Sequence, residues 1–248
     1  MKTILDICYS EEHGQCLDIY LPEQQEFNVV LYFHGGGLYA GDKTDAEVFL
    51  KHMVDQGHAV VSANYRMYPD HKYPDFLVDA ACATAWVINN IGKYGKMKGL
   101  FVGGSSAGGY ISQMLCFDES WLSAQGVKAS DVTGFILDAG QPTCHFHILK
   151  NRGFDPRRVI IDESAPLYHI KENSQYAPML IIVSDNDMQN RYEQTMLLVS
   201  TLKHFGYSEK VTLKIMHGTH CSYTCAVDEN GESVFGKLVS DYINSIVK

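Results

Sequence analysis

The sequence predicts an α/β fold, with a mostly parallel central sheet of about eight strands, helices on both faces and little cap. Short apolar runs alternate along the chain with longer stretches of helical spacing. Several of these runs are continuously apolar, as strands are when a parallel sheet buries both of their faces. The 248 residues, 46% of them hydrophobic, suffice for one large domain, 1–248, and no linker or repeat divides them.

The first part of the chain contains an early edge strand, two buried strands and a long helix. CLDIYLP (16–22) alternates in polarity and stops at a proline, which predicts an antiparallel strand. NVVLYF (28–33) and HAVVSANY (58–65) are continuously apolar and predict buried parallel strands. DFLVDAACATAWVINNI (75–91) follows a proline and has helical spacing, so it predicts the first long helix.

The second part of the chain repeats this alternation. Four further strands are predicted at GLFVGG (99–104), GFILDA (134–139), MLIIVS (179–184) and VTLKIM (211–216). Two further helices are predicted at RYEQTMLLVSTLKHF (191–205) and VFGKLVSDYINSIV (234–247). One long connection, 141–178, stands out, and we expect it to form a small lid or a pocket insertion.

Composition argues against several classes of partner. Lys and Arg number 20 against 29 Asp and Glu, a formal charge of −9, and no basic run suggests nucleic acid or an anionic membrane. The polar start is unlike a signal peptide, and no apolar run approaches the length of a membrane span. Seven scattered cysteines, an odd number, indicate reduced thiols. We therefore expect a cytoplasmic protein with a small-molecule substrate.

A glycine-rich motif follows the strand at 99–104. Read as Gly-x-Ser-x-Gly, GSSAG runs from Gly104 to Gly108 and places Ser106 at the tip of a strand-to-helix turn. A nucleophilic serine there sits in a strained backbone conformation, and residues two positions either side must lack a side chain. Ser105 has no such frame, because Ala107 occupies its second glycine position. The alternative is a glycine-rich turn that binds phosphate at the helix N-terminus, although the Gly-Lys-Ser/Thr of a P-loop is missing.

A second glycine motif follows the strand at 28–33. The segment His34-Gly35-Gly36-Gly37 is typical of a loop whose backbone N–H groups stabilise an oxyanion. The motif places these donors at Gly36 and Gly37, with the N–H of Ala107 as the third. We interpret His34 as a residue that holds the shape of the loop. A flexible turn is the weaker interpretation, because the loop directly follows a core strand upstream of the serine motif.

Together, HGGG and GSSAGG resemble the α/β-hydrolase fold, and more narrowly the hormone-sensitive-lipase-like carboxylesterases. The resemblance runs from about LDIYLP to HGTHCSY and covers most of the chain. It implies a Ser–acid–His triad in that chain order. It also implies that Arg66, in SANYRMYP, makes a structural ion pair.

The resemblance also implies where the acid and the base lie. The family places its acid a few residues beyond a late strand, which favours Asp187 over Asp185 in MLIIVSDNDMQNR. It places its histidine on a loop after the last core strand, which favours His220 over His217, and His217 could instead line the pocket. In such a triad the histidine takes the proton of Ser106 while the carboxylate fixes the imidazole tautomer.

Two other features, a possible metal site and a basic stretch, are not expected to take part in catalysis. A metal cluster of His217, His220, Cys221 and Cys225 matches no common zinc spacing, so we expect no metal and no cofactor. The basic stretch LKNRGFDPRR (149–158) favours a solvated face paired with nearby acids such as Asp155, Asp162 and Glu163. Its alternative interpretation is a rim that attracts an anionic substrate.

The sequence thus predicts a serine carboxylesterase that hydrolyses short-chain acyl esters through an acyl-enzyme. Two alternatives stay open: an arylformamidase-like amidase or small peptidase on the same triad, and a non-catalytic ligand-binding protein of this fold. A homo-oligomer is compatible with the sequence.

Overall fold

Eight strands and seven α-helices make up the computed structural model, which describes residues 1–247. The strands are β1 (Lys2–Ser10), β2 (Gln15–Leu21), β3 (Glu26–Phe33), β4 (Ala59–Ala63), β5 (Lys96–Ser105), β6 (Gly134–Asp138), β7 (Met179–Asn186) and β8 (Val211–Thr219). The helices are α1 (Glu47–Asp55), α2 (Asp75–Asn90), α3 (Ala107–Phe117), α4 (Ser120–Ser123), α5 (Phe146–Asn151), α6 (Arg191–His204) and α7 (Val234–Ile246).

All eight strands belong to one sheet, in the order β1-β2-β4-β3-β5-β6-β7-β8. β1 and β2 are antiparallel to each other, β2 is antiparallel to β4, and every other neighbouring pair is parallel. The structure therefore confirms the predicted mostly parallel α/β sheet. The carboxyl ends of β3, β5, β6, β7 and β8 meet at one edge, where open parallel sheets of this kind bind their ligands.

Both faces of the sheet are buried, as the continuous apolar runs predicted. In β3, Val29, Leu31 and Phe33 pack into one core with side chains of α2, α3 and α6. Val30 and Tyr32 point the other way, into a second core with α1 and α7. Helices therefore cover both faces of the sheet.

Four elements have no predicted counterpart: β1, α1, α5 and the four-residue α4. β1 is an edge strand whose residues are mostly exposed, so it lacks the alternating apolar pattern that would identify it. α1 and α5 have only nine and six residues, which gives little helical periodicity to read. The predicted ends of the other elements differ from the observed ones by a few residues. The ends of helices and strands fray, so their last residues are the hardest to assign.

The connection 141–178 packs against the body of the domain. It carries α5 and a short 3-10 helix, Pro166–His169. The hydroxyl of Tyr110 in α3 donates to the carbonyl of Ser164 at 2.7 Å, and Thr143 donates to Gln194 in α6 at 3.0 Å. These bonds hold the connection beside the carboxyl edge of the sheet.

The structure confirms the ion pair expected of Arg66. Its guanidinium donates to both carboxylate oxygens of Asp79, a fully buried residue of α2, at 2.8–3.0 Å. Separately, none of the helices within residues 1–247 is long and apolar enough to span a membrane.

Candidate active site

Ser106 stands at the turn between β5 and α3. Its φ of 55° and ψ of −108° lie outside the ordinary regions for a residue with a side chain. Its N–H donates to the carbonyl of Asp138 at 2.8 Å, and its own carbonyl accepts from Tyr110 at 2.9 Å. These bonds hold the strained turn that the Gly-x-Ser-x-Gly pattern predicts.

The glycines on either side of Ser106 are required by close backbone contacts. A Cβ on Gly104 would lie 2.3 Å from the carbonyl oxygen of Phe33, and one on Gly108 would lie 1.9 Å from the same atom. A Cβ on Gly109 would lie 2.2 Å from the carbonyl oxygen of Asp138. Backbone atoms cannot rotate away as a flexible side chain can, so α3 approaches β3 and β6 this closely only with glycine at these positions.

The structure brings the three predicted triad residues into one hydrogen-bonded chain. Ser106 Oγ lies 2.8 Å from His220 Nε2, and His220 Nδ1 lies 2.6 Å from Asp187 Oδ1. The Asp187 carboxylate can only accept, so Nδ1 carries a proton and Nε2 is free to accept from the serine hydroxyl. This is the arrangement in which a histidine acts as a general base toward a serine nucleophile.

The Asp187 carboxylate is buried but well supplied with donors. Its side chain has no exposed surface, and it also accepts from the backbone N–H groups of Met188 at 2.7 Å and Ser184 at 3.3 Å. Burial acts to raise the pKa of Asp187, but the hydrogen bond and charge of His220 and the N–H of Met188 outweigh it. They hold the pKa below its usual range, so the group is ionised at neutral pH.

Asp185 and His217 form a second carboxylate–histidine pair that does not reach Ser106. Asp185 Oδ2 lies 2.6 Å from His217 Nδ1, and Asp185 Oδ1 accepts from the N–H of Gly218 at 3.0 Å. The His217 side chain is 97% exposed, so it does not line the pocket as one interpretation of the sequence had it. Asp185 thus joins the end of β7 to the end of β8.

The HGGG loop lies next to Ser106. A Cβ on Gly35 would lie 3.6 Å from the Cβ of Ser106, and Gly36 and Gly37 have φ of 104° and 67°. Ala107 is the first residue of α3, so its N–H has no partner within the helix. The loop, through Gly35, and the first residue of α3 therefore lie beside Ser106. The catalytic role of the three predicted oxyanion donors stays a prediction.

His34 is held inside this loop and is not aimed at Ser106. Its ring is almost fully buried and stacks on Tyr65, with ring centroids 4.4 Å apart. Its Nδ1 donates to the carbonyl of Gly35 at 2.8 Å, and a Cβ on Gly41 would lie 2.3 Å from the same nitrogen. Burial lowers the pKa of His34 and favours the neutral ring. These contacts agree with a residue that shapes the loop.

A cavity of about 290 Å³ opens over Ser106. Its lining includes Tyr32, Gly36, Phe49, Ser106, His220 and Cys221. The Sγ of Cys221 lies 3.7 Å from His220 Nε2. Burial raises the pKa of this thiol, and a protonated thiol is a poor nucleophile, so the geometry favours the hydroxyl of Ser106 as the attacking group.

Sequence reasoning missed a buried polar network next to Ser106, around its neighbour Ser105. Tyr32 donates to Ser105 Oγ at 3.0 Å, and Ser105 and Tyr223 each donate a short hydrogen bond to the carboxyl group of Asp138. Burial raises the pKa of Asp138 to about 6, against the lowering effect of the two hydroxyl donors. The sequence did contain one indication of this network, because Asp138 is an acidic residue near the end of the predicted strand 134–139. The carboxyl ends of parallel strands are where such sheets form their sites.

The basic stretch 149–158 is paired only in part. Arg157 donates to Asp155 and Arg152 donates to Asp162, which confirms the solvated ion pairs expected there. Arg158 joins no ion pair among the described residues. Across residues 1–247, no group of three or more His, Cys, Asp or Glu side chains is arranged to hold a metal ion.

Comparison with known proteins finds one family model, as well as esterases and a formamidase, that match parts of the chain. The family model described as BD-FAE matches residues 17–131. Esterase LipI of Mycobacterium tuberculosis is 43% identical over 96 residues, which is 38% of this chain and 30% of that protein. Kynurenine formamidase of Danio rerio is 31% identical over 194 residues, which is 75% of this chain and 64% of that protein. The chain thus spans less than two thirds of the length of these relatives.

Solved esterase structures share the fold over nearly the whole chain. Esterase B from Lactobacillus rhamnosis, inhibited by a tributyrin phosphonate, superposes with a TM-score of 0.79 at 18% identity, covering 98% of this chain and 86% of that one. The esterase of Pyrobaculum calidifontis superposes with a TM-score of 0.78 at 21% identity, covering 100% of this chain and 87% of that one. The sheet order and these superpositions show that the chain has the α/β-hydrolase fold.

Proposed function

We propose that this protein is a serine carboxylesterase that hydrolyses short-chain acyl esters through an acyl-enzyme. The observation that carries the proposal is the continuous hydrogen-bonded chain from Ser106 through His220 to Asp187, at the carboxyl edge of the sheet. The esterase relatives support the same reaction class. The strained backbone of Ser106 and the close contacts of three nearby glycines lower the stability of the fold. A serine with only a structural role would not need this strained conformation, which supports a catalytic role for Ser106.

In the proposed mechanism, Ser106 Oγ attacks the ester carbonyl carbon while its proton passes to His220 Nε2. The N–H groups of Gly36, Gly37 and Ala107 stabilise the oxyanion that forms. The carbon–oxygen bond to the alcohol then breaks, and His220 gives its proton to the departing oxygen. In the second half of the reaction, a water molecule gives a proton to His220 while the water oxygen attacks the acyl carbon. The bond from that carbon to Ser106 Oγ then breaks, and His220 returns the proton to Ser106 Oγ. Water is the only co-substrate, so the reaction needs no cofactor.

Labelling with a fluorophosphonate probe, combined with p-nitrophenyl acetate hydrolysis, tests the proposal. The wild-type protein should be labelled and should hydrolyse the ester, while Ser106→Ala should do neither. A protein that is folded by circular dichroism yet unreactive toward both reagents would contradict the proposal and support a ligand-binding role. Hydrolysis of a peptide p-nitroanilide in place of the ester would indicate a peptidase.

A formamidase is the second candidate, because the match to kynurenine formamidase covers 75% of this chain. Ester and formamide hydrolysis use the same nucleophile and oxyanion site, so the triad does not separate them. The measurement that does is kcat/KM for N-formylkynurenine beside p-nitrophenyl acetate. A value for the formamide well above that for the ester would favour the formamidase.

A further inference from the structure

A second cavity, of about 320 Å³, lies at the same edge of the sheet as Ser106. Gln141 contributes to it from the loop after β6, Phe146 from α5, and Gln194 from α6. The turn between β7 and α6 forms another wall, directly after Asp187 in the chain. Because β6 and β7 are neighbours in the sheet, the cavity borders the acid end of the triad.

The described residues that line this cavity include three arginines, Arg157, Arg158 and Arg191, and no acidic side chain. Arg157 is already paired with Asp155, but Arg158 joins no ion pair within residues 1–247 and lies only near the ring of Phe154. The first turn of α6, where N–H groups lack helix partners, adds partial positive charge to the same wall.

Arg191 is the least expected member of this group. It is only 4% exposed, and its guanidinium donates to two neutral acceptors, the carbonyl of Ala139 and, at 3.4 Å, the side-chain oxygen of Gln141. No ion pair in the part of the chain that the structure describes includes Arg191. Burial lowers the pKa of Arg191 although the nearby charge of Asp187 acts to raise it, and that carboxylate is itself hydrogen-bonded to His220. A buried guanidinium without its own counter-ion lowers stability, unless a ligand supplies the negative charge.

We propose that this cavity binds a carboxylate group of the substrate, so that the enzyme prefers esters whose acyl or alcohol part carries a carboxylate. A guanidinium binds a carboxylate through paired, charge-assisted hydrogen bonds. Arg158 and Arg191 supply the two unpaired guanidinium groups, and the amides of Gln141 and Gln194 supply neutral polar contacts. The inference rests on the proposed esterase function, because it concerns the substrate of that site.

Two pairs of matched esters test the preference. The acyl side is probed by p-nitrophenyl hydrogen glutarate against its methyl ester, and the alcohol side by 4-acetoxybenzoate against methyl 4-acetoxybenzoate. In at least one pair, the wild-type kcat/KM should be higher for the anionic ester by about tenfold, the range of one hydrogen bond to a charged group. The pair in which the anionic ester is preferred shows whether the carboxylate belongs to the acyl part or to the alcohol part of the substrate. Equal or lower values for the anionic ester in both pairs would overturn the proposal.

Two variants, each of which removes one positive charge, distinguish direct binding in the cavity from long-range attraction by the basic stretch 149–158. In Arg158→Gln the ratio of anionic to neutral kcat/KM should fall by about tenfold. In Lys150→Gln, which removes a charge from the same stretch but outside the cavity, the ratio should stay within about twofold. An equal fall in both variants would mean long-range attraction only and would overturn the proposal.

Binding to the Ser106→Ala variant gives a readout that does not need turnover. Calorimetry should show tighter binding of the preferred anionic ester than of its methyl ester, and Arg158→Gln in the same background should remove the difference. If the esterase function itself were wrong, fluorophosphonate would not label the wild-type protein, whereas this binding difference would persist. If only the carboxylate site were wrong, labelling would occur and the two esters would bind equally.

Discussion

Two adjacent serines, Ser105 and Ser106, have entirely different surroundings. Ser106 Oγ faces His220 at the edge of a cavity, whereas Ser105 Oγ is buried between Tyr32 and Asp138. Adjacent residues at a sharp turn point in different directions, so one hydroxyl reaches the site and the other reaches the core. The two substitutions to alanine should therefore have separable effects on activity and on stability.

Ser106→Ala should abolish ester turnover, leaving at most the residual catalysis by oxyanion donors and binding. Ser105→Ala should keep the nucleophile and most of the activity but lower the free energy of unfolding. That loss should be about 1–3 kcal/mol, because Tyr32 loses its buried acceptor and Asp138 loses a donor. Hydrolysis of p-nitrophenyl acetate and urea unfolding measure the two effects. The reverse pattern, with Ser105→Ala inactive and Ser106→Ala active, would contradict this assignment.

The two candidate acids differ in the histidine that each one holds. Asp187→Asn should reduce kcat by about 10⁴, because an amide can donate to Nδ1 and so favours the wrong tautomer of His220. Asp185→Asn should have a small effect, because its partner His217 is exposed and is not part of the hydrogen-bonded chain to Ser106. Steady-state kinetics on both variants provide the comparison. Near-normal turnover in Asp187→Asn would show that the acid lies elsewhere.

At the scale of secondary structure, the site depends on how closely α3 packs against the sheet. The helix begins one residue after the nucleophile, and its first turn lies on the carbonyl of Phe33 at the end of β3. Gly108 makes this contact possible because it has no side chain. The strand, the turn and the helix thus act as one rigid support for Ser106.

Gly108→Ala should disturb this support. The added Cβ would lie 1.9 Å from a backbone oxygen, so the helix must shift, and we expect a loss of roughly 3 kcal/mol in the free energy of unfolding together with a large fall in kcat/KM. Gly92→Ala is the control, since nothing lies within 4 Å of its Cβ position. It should change stability by less than about 1 kcal/mol. Equal effects in the two variants would contradict the close-packing explanation.

The network around Asp138 joins β3, β5, β6 and the segment after β8. Its carboxyl group has a pKa of about 6 in the folded protein, against roughly 3.9 in an unfolded chain. Between these values the folded state binds more protons than the unfolded state, so this group makes stability fall as pH rises. From pH 4 to 7 the loss is on the order of 3 kcal/mol.

Asp138→Asn should remove this contribution, because the amide does not titrate. The free energy of unfolding of the variant, measured relative to wild type, should therefore rise between pH 4 and 7 by an amount on the order of 3 kcal/mol. Subtracting the two proteins at each pH cancels the titration of all other groups. A difference that does not change with pH would mean that Asp138 titrates alike in the folded and unfolded chain.

At the scale of the whole molecule, the size of the site limits the substrate. The cavity over Ser106 is about 290 Å³ and must receive both the acyl and the alcohol part of an ester. Each buried methylene contributes about 0.8 kcal/mol, but only while apolar wall remains to receive it. Binding should therefore stop improving after a few acyl carbons.

The enzyme should prefer acetyl to butyryl esters over longer ones. The test is kcat/KM for p-nitrophenyl esters from acetate to palmitate, with Ser106→Ala as the background control. We expect a maximum at or before butyrate. Values that still rise at octanoate would indicate an apolar tunnel formed by the connection 141–178.

Local patterns in the sequence were enough to predict the fold class and to propose Ser106 as the nucleophile. The sheet follows from apolar runs and helical spacing, which depend on neighbouring residues. Ser106 follows from a five-residue glycine motif, although the contacts that require those glycines come from Phe33 and Asp138 on other strands. The resemblance then supplied the expectation of Asp187 and His220.

Tertiary structure alone decided which carboxylate meets which histidine. Asp185 and Asp187 lie two residues apart at the end of β7, and each forms a pair with a histidine more than 30 residues away. Nothing in the local sequence separates such pairs, because their geometry depends on how β7 and β8 end side by side. The same holds for Asp138 with Tyr223 and for buried Arg191, whose partners come from distant segments. Contacts of this kind exist only once the sheet has brought the strand ends together.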